Sequence, residues 1–339
     1  MKAFYIDNPF ESRFDECPEP QVGSGEVRVR IKKIGLCGSD LNTYRGKNPL
    51  VQYPRIPGHE IVAEIESIGS DVPADRFQIN QLVTLNPYKN CGACVACRKG
   101  RVNACRDNQT FGVQREGALT ELVVVPWQKV LPTQLTDMNS IALIEPLSVG
   151  FHAVRRAETS EQDIVAVFGC GVIGLGAIAG AKAQNAKVIA IDISDEKLTK
   201  AKAVGADYVI NSLNSDLTNE LLKITNGDGV DVAIEAVGLA QTFVSAIEIA
   251  ATTGRVVYIG YANQPVSYET KYFLMKELDI RGSRGAQQID FLNVIKYIES
   301  GSYPVEQTIS HQFPFSESDK ALKLWHEKPA EVSKILIEM

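Results

Sequence analysis

The sequence has no surplus of basic residues. Its 339 residues include 35 lysines and arginines against 41 aspartates and glutamates, which gives a net charge of −6 at pH 7. Binding to nucleic acid requires a basic surface, so this balance argues against a nucleic-acid partner. Lysine and arginine form no dense block, and the chain has no low-complexity tract and no internal repeat. A hydrophobic content of 45% and a charged content of 22% are typical of an ordinary globular protein.

Long hydrophobic runs are also absent. No window approaches the roughly 18 consecutive apolar residues of a transmembrane helix, so we expect no membrane span. The first residues, MKAFYIDNPF, meet charge too early for a signal peptide. Of the seven cysteines, four lie in one short cluster, which is typical of a protein from a reducing compartment. Together these features predict a soluble cytoplasmic protein.

Two domains are expected, because single cores stop growing at about 250–300 residues. The N-terminal part alternates apolar and polar residues in short runs such as EVRVRIKKIGL (26–36) and IVAEIESIG (61–69), which predicts a compact β domain. From IVAVF (164–168) onward, predicted strands and helices alternate along the chain. That order predicts a doubly wound parallel sheet with helices on both faces, so the fold class is α/β.

A cluster of four cysteines lies within the segment 88–107. Cys91, Cys94, Cys97 and Cys105 have the spacing C-x2-C-x2-C-x7-C, which can surround one Zn²⁺ ion tetrahedrally. Four sulfur ligands leave no open position for water or substrate, so we expect a structural zinc. An iron–sulfur cluster and a pair of disulfides are the alternatives. A cluster-type spacing would place a Cys-Pro closer to the third cysteine, whereas Cys105 follows Ala104.

The sequence GCGVIG from Gly169 to Gly174 follows a predicted strand and begins a predicted helix. This is the dinucleotide-binding fingerprint, in which the glycines allow a tight turn and a close approach to the pyrophosphate. Asp192 ends the next strand, where a carboxylate binds the ribose hydroxyls of NAD and repels the extra phosphate of NADP. The alternative is a glycine-rich turn followed by an aspartate helix cap. The predicted cofactor-binding residues are Gly169, Gly171, Val172, Ile173, Gly174, Asp192 and Lys197.

Cys37, His59, Glu60 and Glu145 form a second candidate metal site. Taken singly, Cys37 is more often a small buried hydrophobe, and a single His is more often an ordinary core or surface residue. A thiol, an imidazole and two carboxylates outside the nicotinamide-binding domain change that balance. A catalytic zinc needs about three protein ligands and one open position, and this set supplies them.

The motifs CGSD (37–40) and GHE (58–60), the four-cysteine segment, the run ALIEPLSVGFHAVRRA and the glycine fingerprint together resemble the zinc-containing medium-chain dehydrogenases. The similarity is greatest to the sorbitol (polyol) dehydrogenase branch, close to bacterial sugar-acid dehydrogenases of the L-galactonate type. It implies a GroES-like catalytic domain, residues 1–149 and 288–339, split around a Rossmann domain, residues 150–287. It also implies a homodimer or homotetramer.

The resemblance implies a catalytic zinc bound by Cys37, His59 and Glu60, with Glu145 as an alternating ligand, in addition to the structural zinc. Such an ion lowers the pKa of a substrate hydroxyl, so that hydride can pass to NAD. Ser39 matches the position of the first proton acceptor in the family; the alternative is a loop hydroxyl that caps a backbone amide. Thr43 and Arg284 are the predicted substrate-binding residues.

Two departures from the family pattern affect the predicted chemistry. Asn42 stands where family members commonly have a His that passes the proton to solvent, and Asn cannot titrate. Arg284 keeps the arginine of the polyol branch, but Gly285 replaces its aromatic partner, which favours a bulkier or anionic substrate. The alternative for Arg284 is a surface position or a contact with a cofactor phosphate.

The sequence therefore predicts an NAD-dependent zinc dehydrogenase that acts on a polyol or a sugar acid, with L-galactonate or L-fuconate as the narrowest expectation. A dehydrogenase of L-threonine or another small alcohol is the alternative within the class, although that branch usually has the His that Asn42 replaces. A catalytically inactive NAD-binding zinc protein is the alternative outside it. The presence of every candidate metal ligand argues against inactivity.

Overall fold

A computed structural model describes all 339 residues. It contains two compact units: the first combines Met1–Glu145 with Val305–Met339, and the second is Pro146–Pro304. The second unit is thus an insertion in the sequence of the first. No helix in the structure has both the length and the apolar character needed to span a bilayer.

Strands are the main regular elements of the N-terminal part of the chain. They are β1 (Lys2–Asn8), β2 (Glu11–Glu16), β3 (Glu26–Leu36), β4 (Glu60–Ile68), β5 (Leu82–Leu85), β6 (Tyr88–Lys89), β7 (Gln109–Thr110), β8 (Leu122–Pro126) and β9 (Val130–Pro132). The helices among them are α1 (Gly38–Tyr44), α2 (Val95–Arg98) and α3 (Met138–Ala142). Strands β3 and β4 pair antiparallel, with Gly35 opposite Glu60.

The second unit alternates strands and helices, as the sequence predicts. Its strands are β10 (Ile164–Phe168), β11 (Lys187–Asp192), β12 (Tyr208–Asn211), β13 (Val230–Glu235), β14 (Ala250–Tyr258) and β15 (Asp279–Gly282). The helices, the first of which begins at the end of the first unit, are α4 (Ile144–Arg156), α5 (Val172–Ala183), α6 (Asp195–Val204), α7 (Leu217–Ile224), α8 (Ala240–Glu248), α9 (Lys271–Met275) and α10 (Gln288–Glu299).

The six strands of this unit form one parallel sheet in the order β12-β11-β10-β13-β14-β15. The predicted doubly wound sheet is therefore confirmed. The strand order reverses direction between β10 and β13, which is the position at which open parallel sheets bind their ligands. The strands consist mostly of buried apolar residues, such as Ala166, Ile189 and Ala233. Such nearly unbroken apolar strands are typical of parallel sheets whose two faces are both covered by helices.

The last segment of the chain contributes to the sheet of the first unit. Its elements are α11 (Val305–Thr308), β16 (His311–Pro314), α12 (Ser318–Glu327) and β17 (Ile335–Glu338). Strand β17 pairs antiparallel with β3, with Ile335 opposite Leu36. The full sheet has the order β16-β17-β3-β4-β5-β9, and β8 also pairs with β3. Residues near the C-terminus thereby lie next to Cys37 and Glu60.

The unit boundaries in the structure differ from those in the sequence-based division. The first boundary follows Glu145 instead of residue 149, and the second follows Pro304 instead of residue 287. Helix α10 therefore belongs to the second unit. Its Asp290 accepts hydrogen bonds from Arg155 Nε at 2.7 Å and pairs with His152 Nδ1 at 2.8 Å, both on α4. These buried polar contacts have no signature in the sequence pattern of α10.

Candidate active site and metal centres

Four cysteine sulfurs meet in the lobe between β6 and β7. The Sγ atoms of Cys91, Cys94, Cys97 and Cys105 have pairwise contacts of 4.0, 3.5, 3.9 and 3.5 Å. Tetrahedral zinc at ~2.3 Å from each sulfur would separate its ligands by about 3.8 Å. All four thiols are free, and none approaches another to the ~2.05 Å of a disulfide bond. The cluster therefore fits a zinc ion and not a pair of disulfides.

Backbone amides of the lobe point at its sulfur atoms. Cys94 N donates to Cys91 Sγ at 3.3 Å, and Cys91 N donates to Cys105 Sγ at 3.3 Å. Hydrogen bonds from the backbone at Cys97 and Arg106 lower the pKa of the Cys94 thiol to about 6. Amide donors stabilise a thiolate, which is the form that binds metal. Burial and the neighbouring thiols raise the pKa of Cys97 to about 11, so the backbone donors favour the thiolate at Cys94 in particular.

A second donor cluster contains Cys37, His59 and Glu60, whose ligand atoms all lie within 4.8 Å of one another. Cys37 immediately precedes α1, and Glu60 is the first residue of β4. The structure thus brings together three of the four residues predicted for the catalytic metal. Glu145 is outside this set. Its charge nevertheless raises the pKa of His59, and the charge of Glu60 raises the pKa of Glu145.

Asp40 joins the two segments that carry this cluster. Its Oδ2 accepts a hydrogen bond from Cys37 N at 2.8 Å, and its Oδ1 accepts one from Gly58 N at 3.1 Å. The side chain is fully buried. A buried carboxylate with two backbone donors fixes both loops, because moving either one would leave a charge unsatisfied. Asp40 therefore positions Cys37 next to His59.

Glu60 is held from the other side by Lys334. The Nζ atom of Lys334 lies 2.6 Å from both Oε1 and Oε2 of Glu60, and it also donates to Leu36 O at 3.0 Å. Both side chains are buried. A Cβ atom at position 35 would lie 2.1 Å from Glu60 Oε2, so only glycine at Gly35 leaves room for this carboxylate. The ion pair with Lys334 fixes the orientation of the Glu60 carboxylate.

Glu145 has its own hydrogen-bond donor. The hydroxyl of Tyr88 donates to Glu145 Oε1 at 2.6 Å. Burial and the charge of Glu145 raise the pKa of Tyr88 well above its usual value, so the phenol stays protonated and donates. Burial likewise raises the pKa of Glu145, although His59 acts in the opposite direction. Glu60 within the cluster and Glu145 outside it are therefore anchored by different side chains, Lys334 and Tyr88.

The surroundings of His59 fit a bound cation. Burial lowers the pKa of His59, but Asp40, Cys37 and Glu145 raise it more, and it lies well above its usual value. The site therefore stabilises positive charge. His59 Nδ1 is buried without a hydrogen-bond partner, and so is the Oγ atom of Ser39. A thiol, an imidazole and carboxylates around such a site are the donors that a divalent zinc ion uses.

The glycine fingerprint adopts the turn that its sequence predicts. Gly169 has a φ of 86°, which disfavours any residue with a Cβ atom. A Cβ at Gly174 would lie 1.7 Å from Gly169 O, whereas a Cβ at Gly171 would meet nothing within 4 Å. Helix α5 begins with Val172 and Ile173 directly after Gly171. The loop thus leaves open space at the N-terminal end of a 12-residue helix, which suits a phosphate group.

Asp192 lies beside this loop at the end of β11. Its Oδ2 accepts from Cys170 N at 2.8 Å, and its Oδ1 accepts from Ile193 N at 2.8 Å and Ser194 N at 3.0 Å. Three backbone donors fix the carboxylate in one orientation. Lys197 lies in the first turn of α6, where its amide donates to Ser194 Oγ at 3.4 Å. The structure therefore brings the fingerprint and the predicted acid together.

Two family models match the chain. The model for the GroES-like domain of alcohol dehydrogenases matches residues 23–135, and the model for zinc-binding dehydrogenases matches residues 172–300. The L-galactonate-5-dehydrogenase of Escherichia coli (strain K12) is 31% identical over 316 residues, which are 93% of this chain and 92% of that protein. The chain belongs to the zinc-binding alcohol dehydrogenase family. This confirms the family resemblance and the GroES-like domain predicted from the motifs.

Other members of the family are similar over the full length. The sorbitol dehydrogenase of Bacillus subtilis (strain 168) is 32% identical over 99% of this chain and 97% of that protein. An alcohol dehydrogenase of E. coli CFT073, solved with its cofactor NADH, has a TM-score of 0.92 at 30% identity. The match spans 100% of this chain and 99% of that protein. A putative zinc-binding dehydrogenase of Sinorhizobium meliloti 1021, solved with NADP, has a TM-score of 0.90 at 28% identity, with 100% and 99% coverage.

The residues predicted to handle substrate in this dehydrogenase have different environments. Ser39 keeps its hydroxyl without a partner, as described above. Thr43 is fully buried, and its Oγ1 donates to Ser39 O at 2.9 Å while it lies 3.2 Å from Asn48 Nδ2. Thr43 thus supports the backbone at Ser39. Arg284 is exposed in the loop between β15 and α10.

Sequence reasoning did not identify Asp40, Tyr88 or Lys334 as parts of the site. Asp40 had a local signal, because it is the third residue of α1 and forms a capping box with Cys37. Tyr88 and Lys334 had none. Their partners are distant in the sequence, with separations of 57 residues from Tyr88 to Glu145 and 274 from Lys334 to Glu60.

Arg115 is a further cation that the sequence did not reveal. Its guanidinium carbon lies 3.7 Å from the centre of the Phe111 ring, and its Nη2 donates to Pro87 O at 3.1 Å. Its Nε is buried without a partner. Burial lowers the pKa of Arg115 to about 10, and burial together with Arg115 lowers the pKa of Lys129. Two half-buried cations thus lie near the segment that carries Tyr88.

Proposed function

We propose that this dehydrogenase oxidises a secondary alcohol of a polyol or sugar acid and transfers the hydride to NAD. The observation that carries the proposal is the cluster of Cys37, His59 and Glu60, in which His59 and Glu60 are buried and whose surroundings stabilise positive charge. Membership of the zinc-binding dehydrogenase family supports the reaction type.

Cys37 and His59 are the ligands through which a catalytic zinc would be held, with a carboxylate from Glu60 or Glu145 as the third. When bound, the ion would supply a Lewis acid that makes an alcohol hydroxyl more acidic. Asp40 keeps Cys37 and His59 in place, and Lys334 and Tyr88 hold the two carboxylates. The four-cysteine lobe would hold a second, structural zinc, since its four sulfurs leave no open position.

Ser39 is the group that would receive the proton of the substrate hydroxyl. Its Oγ is buried and has no hydrogen-bond partner within the protein, as expected of an atom that bonds to substrate. Thr43 and Asn48 hold the Ser39 carbonyl through hydrogen bonds of 2.9 and 3.4 Å. Asn42 cannot titrate, so the proton must leave the site through water or another group.

Asp192 supports NAD over NADP. Its carboxylate lies beside the glycine loop and is fixed by three backbone amides, so an added phosphate on the ribose would meet a negative charge. Lys197 is nearby on α6 but does not pair with this carboxylate. One of the similar solved structures contains NADH and another contains NADP, so the comparisons do not favour either cofactor. The preference for NAD is therefore based on Asp192.

A sugar acid is the favoured substrate class, with L-galactonate or L-fuconate as the narrowest candidates. The similarity to an L-galactonate-5-dehydrogenase supports this class. Arg115 supports it too, because its guanidinium contacts a ring and a carbonyl oxygen and not a carboxylate. A half-buried arginine of that kind suits a carboxylate on a ligand. Arg284 is the second candidate for this contact.

Strand β15 supports a homodimer or homotetramer. It is the edge strand of the parallel sheet, and Ile280 on it is exposed, as are Leu274 and Met275 on the preceding helix α9. An edge strand with open backbone groups, beside exposed apolar side chains, is a ready surface for pairing with a second copy. The free thiols of all seven cysteines agree with a reducing compartment such as the cytoplasm.

A substrate panel tests the function. The purified protein is incubated with NAD or NADP and with L-galactonate, L-fuconate, sorbitol or L-threonine, and NADH or NADPH is followed by absorbance. We expect the highest kcat/KM with a sugar acid and NAD. Preference for threonine would instead favour an amino-alcohol dehydrogenase. Absence of turnover with every substrate, despite a bound nicotinamide cofactor, would favour a catalytically inactive NAD-binding protein.

A further inference from the structure

In the sequence, Tyr88 lies between the donors Cys37, His59 and Glu60 and the four-cysteine cluster. It lies on β6, three residues before Cys91, and pairs with Thr110 on β7. Strands β6 and β7 are the base of the four-cysteine lobe, so the backbone of Tyr88 is held by the lobe. Its hydroxyl donates to Glu145 Oε1, which is outside the lobe, at 2.6 Å.

Glu145 and Tyr88 are also electrostatic neighbours of the second donor cluster. The charge of Glu145 acts on His59, and the charges of Cys37 and Glu60 act on Tyr88. Glu60 has both of its oxygens within 2.6 Å of Lys334 Nζ. The orientation of Glu60 is thus set by an ammonium group, whereas that of Glu145 is set at one oxygen by a phenol.

We propose that Tyr88 is a positioning residue for the catalytic metal: its hydroxyl holds Glu145 in the orientation that favours a divalent ion at Cys37 and His59. The inference rests on the proposed catalytic site. Groups that hydrogen-bond to metal ligands orient them, and their loss typically lowers metal affinity or activity by about 10–100-fold. Tyr88 supplies such a bond without contacting the ion itself.

The hydroxyl can be removed with little change in shape. Tyr88→Phe keeps the ring and deletes the donor, and Glu145→Ala removes the carboxylate on which that donor acts. Tyr258→Phe is the matched control, because the Tyr258 hydroxyl is also partly buried but donates to Phe243 O in the other unit, at 3.0 Å. The wild type, these three variants and the double variant Tyr88→Phe/Glu145→Ala are all expressed and purified identically, with zinc supplied.

The measurement is metal affinity and not turnover. Zinc per chain is counted by elemental mass spectrometry, and its affinity is measured by competition with a chromophoric chelator. The visible spectrum of cobalt-substituted protein reports the ligand set. We expect Tyr88→Phe to lose the more weakly held ion about 10–100-fold more readily than wild type, with a changed cobalt spectrum. Tyr258→Phe should match the wild type.

The double variant separates positioning from general destabilisation. If Tyr88 acts through Glu145, removing its hydroxyl should cause no further loss of affinity once Glu145 is absent. Losses that add fully in the double variant would overturn the proposal, and so would wild-type affinity and spectrum in Tyr88→Phe. A wild-type protein that binds one ion only, in the four-cysteine lobe, would instead overturn the proposed function. The two failures are therefore distinguishable.

Discussion

The Nζ atom of Lys334 lies 2.6 Å from each carboxylate oxygen of Glu60, across 274 positions of sequence. The contact depends on strand β17, which returns to pair with β3 and places Ile335 opposite Leu36. The C-terminal segment therefore supplies a buried cation to a site whose three clustered metal donors, Cys37, His59 and Glu60, lie within the first 60 residues. Assembly of the site thus requires that the last strand be in place.

Lys334→Met should destabilise the fold strongly. It leaves the Glu60 carboxylate buried without its cation, and breaking a buried pair from one side costs about 3–5 kcal/mol. We expect the free energy of unfolding to fall by about that amount in denaturant titrations of chelator-treated protein. The double variant Lys334→Met/Glu60→Gln also removes the charge of Glu60, so it should recover much of the lost free energy of unfolding. An unchanged unfolding midpoint in the single variant would show that the pair contributes little.

Cys94→Ser should impair stability more than chemistry. Cys94 is a buried member of the four-cysteine cluster, and a structural zinc contributes its binding free energy to folding. We expect the variant to lose one zinc ion per chain and to melt at a lower temperature. Cys17→Ser, outside both clusters, is the control and should behave as wild type. Wild-type melting with a loss of catalysis alone would reverse the roles assigned to the two metals.

Asp290 should make the second unit sensitive to acid. Burial raises its pKa, but hydrogen bonds from His152 and Arg155 lower it more, so its pKa in the folded state is below the usual value. Stability from this group is therefore present above about pH 4 and is lost as the pH falls through the lower folded-state pKa. Asp290→Asn should weaken the dependence of unfolding on pH in that range. The exposed Asp75→Asn is the control, and equal slopes for both variants would contradict the assignment.

Arg115→Leu should affect anionic substrates selectively. The guanidinium is one of the two half-buried cations near Tyr88 and contacts no carboxylate, so we expect KM for a sugar acid to rise about tenfold or more. KM for a neutral polyol such as sorbitol should stay close to the wild-type value. Arg284→Leu is tested in parallel, because it is the other candidate. An equal rise for charged and neutral substrates would point to a structural role for Arg115.

Features encoded in short stretches of sequence could be predicted well. The glycine fingerprint, Asp192 and the four cysteines each depend on local spacing, and the alternation of strands and helices gave the doubly wound sheet. The charged strand β2, ESRFDE, was not predicted, because most of its residues are exposed and it lacks an apolar face. The irregular start of β14 at Ala250, before its regular pairing from Arg255 onward, has no local sequence signal either.

The partners of the site carboxylates could not be predicted for a different reason. The contact of Lys334 with Glu60 and that of Tyr88 with Glu145 arise from tertiary packing between distant segments. A lysine near a C-terminus and a tyrosine before a cysteine cluster have no local pattern that signals burial. Metal donors can thus be identified from sequence motifs, whereas the groups that orient them require the folded structure.

In the proposed mechanism, a metal held by Cys37, His59 and a carboxylate makes the alcohol more acidic. Zinc content and NADH formation, measured together in wild type and in Cys37→Ser, test it most directly. We expect two zinc ions per chain in wild type and one in the variant, with turnover abolished and NAD binding retained. A Cys37→Ser protein that keeps both ions and full activity, or an active wild-type protein free of divalent metal, would contradict the claim.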